Sequence, residues 1–164
     1  QNRLGEAECT ECGPGSLCPI GASLELPAAC GPGTFADVTD SDGSPDCFEC
    51  PAGSQCPGGA ARPSACSPGS SAAERGSAEC EACTAGSYQP GPNATSCIPC
   101  EMGHYCPQGA SAPLPCPAGR RTNPSLPVMT SSDDCTICTA GSFCPTGSDE
   151  ETACAPGTFS DEAE

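Results

Sequence analysis

Large apolar side chains are sparse along this chain, with a proline or glycine breaking the sequence every few residues. Proline removes a backbone donor and glycine raises the entropic cost of ordering, so no helix of any length is expected. Tight turns and short two-stranded β-ribbons are what fits between such breakers. The apolar positions that recur share one frame. Phe35, Tyr88, Tyr105, Phe143 and Phe159 each stand five residues after a cysteine, and only Phe48 of the six aromatics falls outside that register. The register predicts one small contact between a ring and a disulfide, repeated along the chain.

The cysteines that set this frame also open turns. Cys12, Cys30, Cys50, Cys66, Cys83, Cys100, Cys116, Cys138 and Cys154 are each followed by a glycine three positions later. In Pro14-Gly15, Pro32-Gly33, Pro68-Gly69 and Pro156-Gly157, proline presets the second position of a tight turn and glycine accepts the positive φ of the third. The frame reads "CGPGSLCPIG" from Cys12, "CPAGSQCPGG" from Cys50, "CEMGHYCPQG" from Cys100 and "CTAGSFCPTG" from Cys138.

Composition explains why cysteine carries the pattern. Leu, Ile, Val, Met, Phe and Tyr total 19 of 164 residues, and there is no tryptophan. At about 25 cal/mol per Å² of buried apolar surface, these cannot offset the entropy of ordering the backbone. Twenty glycines, twenty prolines and a net charge of −16 would by themselves indicate disorder. Eighteen cysteines reverse that expectation. Each bridge contributes typically ~2–4 kcal/mol by constraining the unfolded chain, so several replace a core. Disulfides of this density imply an oxidising, extracellular or secretory compartment. The sequon Asn93-Ala94-Thr95 marks Asn93 as a candidate N-glycosylation site, and an N-glycan as a candidate partner. Twenty-one acidic residues against five basic ones exclude nucleic acid and direct contact with anionic membranes. The chain opens on Gln1, not methionine, and shows no signal peptide or membrane-spanning run, so a mature product or an excerpt is expected.

Cys-x-x-Cys pairs at 9/12, 47/50, 80/83, 97/100 and 135/138 set the longer period. Between Cys83 and Cys97 lie thirteen residues and no other cysteine, so that unit is complete with one bridge. The economical pairing lets each C-x-x-G cysteine close on the next cysteine. It gives Cys12–Cys18, Cys30–Cys47, Cys50–Cys56, Cys66–Cys80, Cys83–Cys97, Cys100–Cys106, Cys116–Cys135 and Cys138–Cys144, leaving Cys9 and Cys154 to pair outside the segment. A crossed pairing inside each four-cysteine unit, such as Cys50–Cys66 with Cys56–Cys80, is the alternative that spacing leaves open. The repeats divide as 1–47, 48–80, a one-disulfide unit 81–97, 98–135 and an incomplete 136–164.

"CEACTAGSYQPGPNATSCIPC", residues 80 to 100, resembles the cysteine-rich repeat of ephrin receptors, and the C-x-x-G-x-aromatic opening is similar to a half-module of tumour-necrosis-factor-receptor repeats. The resemblance runs from Cys9 to Phe159. It implies a small disulfide-rich fold of tandem EGF-like modules in an elongated rod, in which units contact mainly their neighbours.

Rival chemistries compete for the same residues. Cys80, Cys83, Cys97 and Cys100 nearly fit a four-cysteine zinc ribbon, but fourteen other cysteines would then need explaining. Redox-active Cys-x-x-Cys needs a helix terminus or a cation, and neither is at hand. Asp37, Asp40, Asp42 and Asp46 offer oxygen ligands for calcium, yet an EF-hand register would place Val38 at its first ligand, so a solvated acidic turn is preferred. Asp133-Asp134 and Asp149-Glu150-Glu151 read as exposed charge. His104, the single histidine, occupies a variable surface position, so neither catalysis nor a cofactor is expected. The expected function is an extracellular structural, assembly or spacer segment of a surface or filament protein, with other chains or neighbouring repeats as partners. The alternative is the stalk or ligand-binding region of a receptor, which an exposed cluster of Phe48, Tyr105 and Phe143 would favour.

Overall fold

The computed structural model describes residues 16–17, 26–27, 30–37 and 46–160. Their regular structure consists of eight two-stranded sheets, each made of two strands adjacent in sequence. Most strands are two residues long, as in Ser54–Gln55 and Ser64–Ala65, and the longest pair is Thr34–Asp37 with Asp46–Glu49. The single helical turn among the described residues is the 3-10 turn Ser132–Asp134. This is a small disulfide-rich fold of turns and short ribbons.

Local sequence builds each ribbon. In the frame that starts at Cys50, the Ser54 amide donates to the Pro51 carbonyl at 3.2 Å around Gly53, whose φ is +80°. That is a type II turn, with glycine where an L side chain would be strained. A second turn follows the next cysteine: Ala60 donates to Pro57 at 3.0 Å around Gly59, φ +79°. Ribbon registers are antiparallel, with Phe35 opposite Phe48, Tyr88 opposite Ile98, Tyr105 opposite Leu114 and Phe143 opposite Thr152.

The chain divides into two compact units interleaved along the sequence. One comprises Gln1–Cys66, Ser71–Glu81 and Pro92–Thr95; the other comprises Ser67–Ser70, Ala82–Gly91 and Ser96–Glu164. Within the first, successive frames are tied by backbone bonds. Gly33 and Gly53 donate to Cys56 and Ala72, six residues past the next frame's cysteine, both at 2.8 Å. Cys50 and Cys66 donate back to Gly33 and Gly53, both at 2.9 Å, while Gly59, Gly76 and Asn93 donate to Cys30, Cys50 and Cys66 at 2.8–2.9 Å.

Within the second unit the same scheme recurs. Gly69, Gly86, Gly119 and Gly141 donate to Gln89, Cys106, Cys144 and Ser160 at 2.8–3.0 Å. Gly103 instead donates to the Thr122 hydroxyl at 2.6 Å, still six residues past the next cysteine. Apart from Gly103, each of these turn glycines thus satisfies its amide on a carbonyl of the following frame, which leaves no backbone donor there unpaired.

The interior is sulfur. Of fourteen buried hydrophobic residues among those described, ten are bridged cysteines and three are alanines; the other is Met129. Such an interior excludes water through cross-links and close backbone packing. At Gly53 the approach is tight enough that a β-carbon would overlap the Asn93 carbonyl, whose carbon would lie 2.8 Å away.

Candidate functional site

Seven bridges are described: Cys30–Cys47, Cys50–Cys56, Cys66–Cys80, Cys83–Cys97, Cys100–Cys106, Cys116–Cys135 and Cys138–Cys144. Cα separations of 5.6–6.3 Å are those of ordinary bridges. Each joins a C-x-x-G cysteine to the next cysteine in the chain, and the four cysteines with zinc-ribbon spacing are all consumed in them. Among the described residues only Cys154 is unbridged, half-buried, with its amide donating to Gly141 at 2.9 Å. Cys9, Cys12 and Cys18 lie outside the described residues, so the Cys12–Cys18 pairing does too.

Asp37 and Asp46 are register partners at the end of the longest ribbon, while Asp40 and Asp42 lie outside the described residues. Among the described residues no group of three or more His, Cys, Asp or Glu is placed to hold a metal ion. Nor is any helix there long and apolar enough to cross a membrane. His104 turns its Nδ1 to the Met102 carbonyl at 3.0 Å, a local contact.

Two of the carboxylates read as exposed charge prove to be ties. Asp134 accepts from the Thr130 amide at 2.7 Å, the Thr130 hydroxyl at 2.9 Å and the Ser131 amide at 3.0 Å. These donors, led by the Thr130 amide, hold its carboxyl below the ordinary range. The spacing Ser131-x-x-Asp134 carries the signal, since a hydroxyl followed three residues later by a carboxylate marks a capped turn. Glu151 accepts from the Thr139 amide and hydroxyl, both at 3.1 Å, and faces Arg121 Nε at 3.5 Å. The Thr139 amide is the main cause of its lowered pKa, with Arg121 adding to it. Its three partners lie across two successive frames, so no local spacing reveals it.

The aromatic frame splits. Tyr105 packs partly buried on the cluster of Cys116, Cys135 and Met129, a ring set against a bridge. Phe143 and Phe159, in the same register, are 49% and 83% exposed. The expected contact is therefore not uniform: a two-residue ribbon has no second layer, and a ring is covered only where a neighbouring loop reaches it. Phe48 packs against Phe35 in a tilted pair, ring centroids 6.0 Å apart and planes at 36°, and remains largely exposed. Because Tyr105 is committed to internal packing, it is not available to a surface cluster with Phe48 and Phe143.

Asn93 is exposed, with φ +59°, and its Oδ1 accepts from the buried Ser54 hydroxyl at 3.1 Å. Comparison with protein-family models and with curated protein sequences gave no match, so the geometry alone speaks for this chain as a tandem of disulfide-closed cysteine-rich repeats.

Proposed function

We propose that this chain is an extracellular structural or assembly segment, a non-enzymatic spacer within a cell-surface, matrix or flagellar-hair-like filament protein. Its partners are neighbouring repeats and other chains of the same assembly, and its modules are of the ephrin-receptor-like and EGF-like kind. One observation carries this reading: nearly every frame's turn glycine donates to a carbonyl of the following frame. Within each unit, frames are thereby tied by backbone bonds and bridges, and the buried hydrophobic residues among those described are mostly bridged cysteines. Repeat systems of this type extend by adding units, because each needs only its neighbour. The density of bridges supports an extracellular setting, and the acidic net charge disfavours polyanionic partners.

The receptor reading draws on exposed apolar residues such as Phe48, Phe143 and Phe159. Internal use of Tyr105 weighs against it, since a binding patch concentrates its anchors at the surface. Recovery of the native protein decides between them. The structural reading expects this chain in oxidised, multi-chain material on the cell exterior that disperses only with reductant. Recovery as a soluble monomer that binds one ligand reversibly favours the receptor, and recovery from the cytosol with reduced thiols overturns both.

A further inference from the structure

We infer that Asn93 carries an N-linked oligosaccharide, and that the fold presents its amide nitrogen for it; the inference rests on passage of the chain through a secretory compartment. Three features of the folded turn support it. First, Asn93 is exposed, and its Oδ1 accepts from the Ser54 hydroxyl, so the acceptor end of the amide is anchored, while Nδ2 makes no hydrogen bond among the described residues. Second, the backbone is held independently of the side chain. The Asn93 amide donates to Cys66 at 2.9 Å and the following carbonyl, of Ala94, accepts from Ala72 at 3.0 Å. A substituent on Nδ2 therefore disturbs neither bond. Third, Thr95 is exposed, and its hydroxyl makes no hydrogen bond among the described residues.

That third feature separates the inference from a purely conformational account. At the matching position Gly59 and Gly76 have φ of +79° and +77°, and asparagine is among the few other residues that tolerate this region. Conformation thus explains why Asn93 can replace glycine. It leaves unexplained an exposed threonine two residues later whose hydroxyl makes no hydrogen bond among the described residues. Asn-x-Thr as an acceptor for glycan transfer explains both.

The reaction joins Nδ2 to the anomeric carbon of an oligosaccharide supplied on a lipid diphosphate. The N–C bond forms as the bond from the sugar to the diphosphate oxygen breaks. Nδ2 gives up one proton, the lipid diphosphate leaves, and no electrons are exchanged.

The test is the full chain secreted by a eukaryotic cell line, recovered from the medium with its bridges intact. Release of glycan by a peptide amidase in heavy-oxygen water should convert residue 93 to labelled aspartate and reduce the intact mass by that of the glycan. Thr95→Ala should abolish the glycan without altering the bridges. Asn93→Gly should do the same while keeping the turn, because glycine fills the matching positions. Unmodified Asn93 in secreted, oxidised protein overturns the inference and leaves the extracellular reading intact. A chain retained in the cell with reduced cysteines overturns both.

Discussion

The loops closed by Cys83–Cys97 and Cys116–Cys135 start from the same C-x-x-G turn and are finished by different physics. In the first, bridged residues are 14 apart, and the loop is filled by a polar side chain. Gln89 donates to the Ser96 carbonyl at 2.6 Å and accepts from the Gly91 amide at 3.1 Å. In the second the separation is 19, and no glycine occurs from Arg120 to Ala140. The glycine turn is replaced by Val128 and Met129 and by the capped 3-10 turn Ser132–Asp134. Met129, 4% exposed, packs on both sulfurs' residues and on Tyr105. The chain-entropy model gives the two bridges nearly equal worth, about 3 kcal/mol each, because loop length enters only logarithmically. The difference between the loops must therefore lie in how the extra backbone is ordered. A short loop closes on its own polar groups; a longer one needs a buried side chain.

Removing bridges should have the largest effect and should test that equality. C83A/C97A and C116A/C135A are each expected to cost about 3 kcal/mol, read as lost amide protection in native-state hydrogen exchange. If the shorter loop loses far more, the comparison fails at its base. Met129→Ala should cost about 2–4 kcal/mol in the longer loop only. Its marker is exchange at the Cys106 amide, which donates to the Met129 carbonyl at 3.0 Å. Unchanged protection there would mean that Met129 is not what orders the loop. Gln89→Ala should cost about 1 kcal/mol, the worth of a net hydrogen bond or two, confined to residues 83–97.

The smallest effect is acid-dependent and again confined to the longer loop. Asp134 has a folded pKa below its ordinary 3.8, so ionisation favours the folded state. Its contribution is fully present above the unfolded value, near pH 4, and is lost as pH falls through the lower folded value. Protection at Thr130 and Ser131 should fall below about pH 4 in the native chain and show no such step in Asp134→Asn. A step that survives the substitution would assign it elsewhere.

Legibility followed the range of each interaction. Turns were readable because glycine at the third position and proline at the second act within four residues. The aromatic register was readable for the same reason, but not which rings are covered: Tyr105 meets Met129, twenty-four residues on, whereas Phe143 meets no comparable loop. Met129 closes the short run Leu126-Pro127-Val128-Met129, whose spacing does not tell which of its apolar side chains is buried. Asp134 had a usable signal in its spacing from Ser131. Glu151 had none, since Thr139 and Arg121 reach it only through the stacking of frames. Calcium at Asp37, Asp40, Asp42 and Asp46 drew on a charge pattern whose central residues lie outside the described chain.

What sequence by itself determined was local: where the chain turns, that nothing longer than a short ribbon can form between turns, and that sulfur must replace a core. Spacing admitted both sequential and crossed bridges, and the fold adopts the sequential set in all seven that are described. Tertiary structure alone decided which carbonyl receives each turn glycine's amide and which rings are buried. Every residue carries the same backbone donor and acceptor, so their partners leave no mark in the order of side chains.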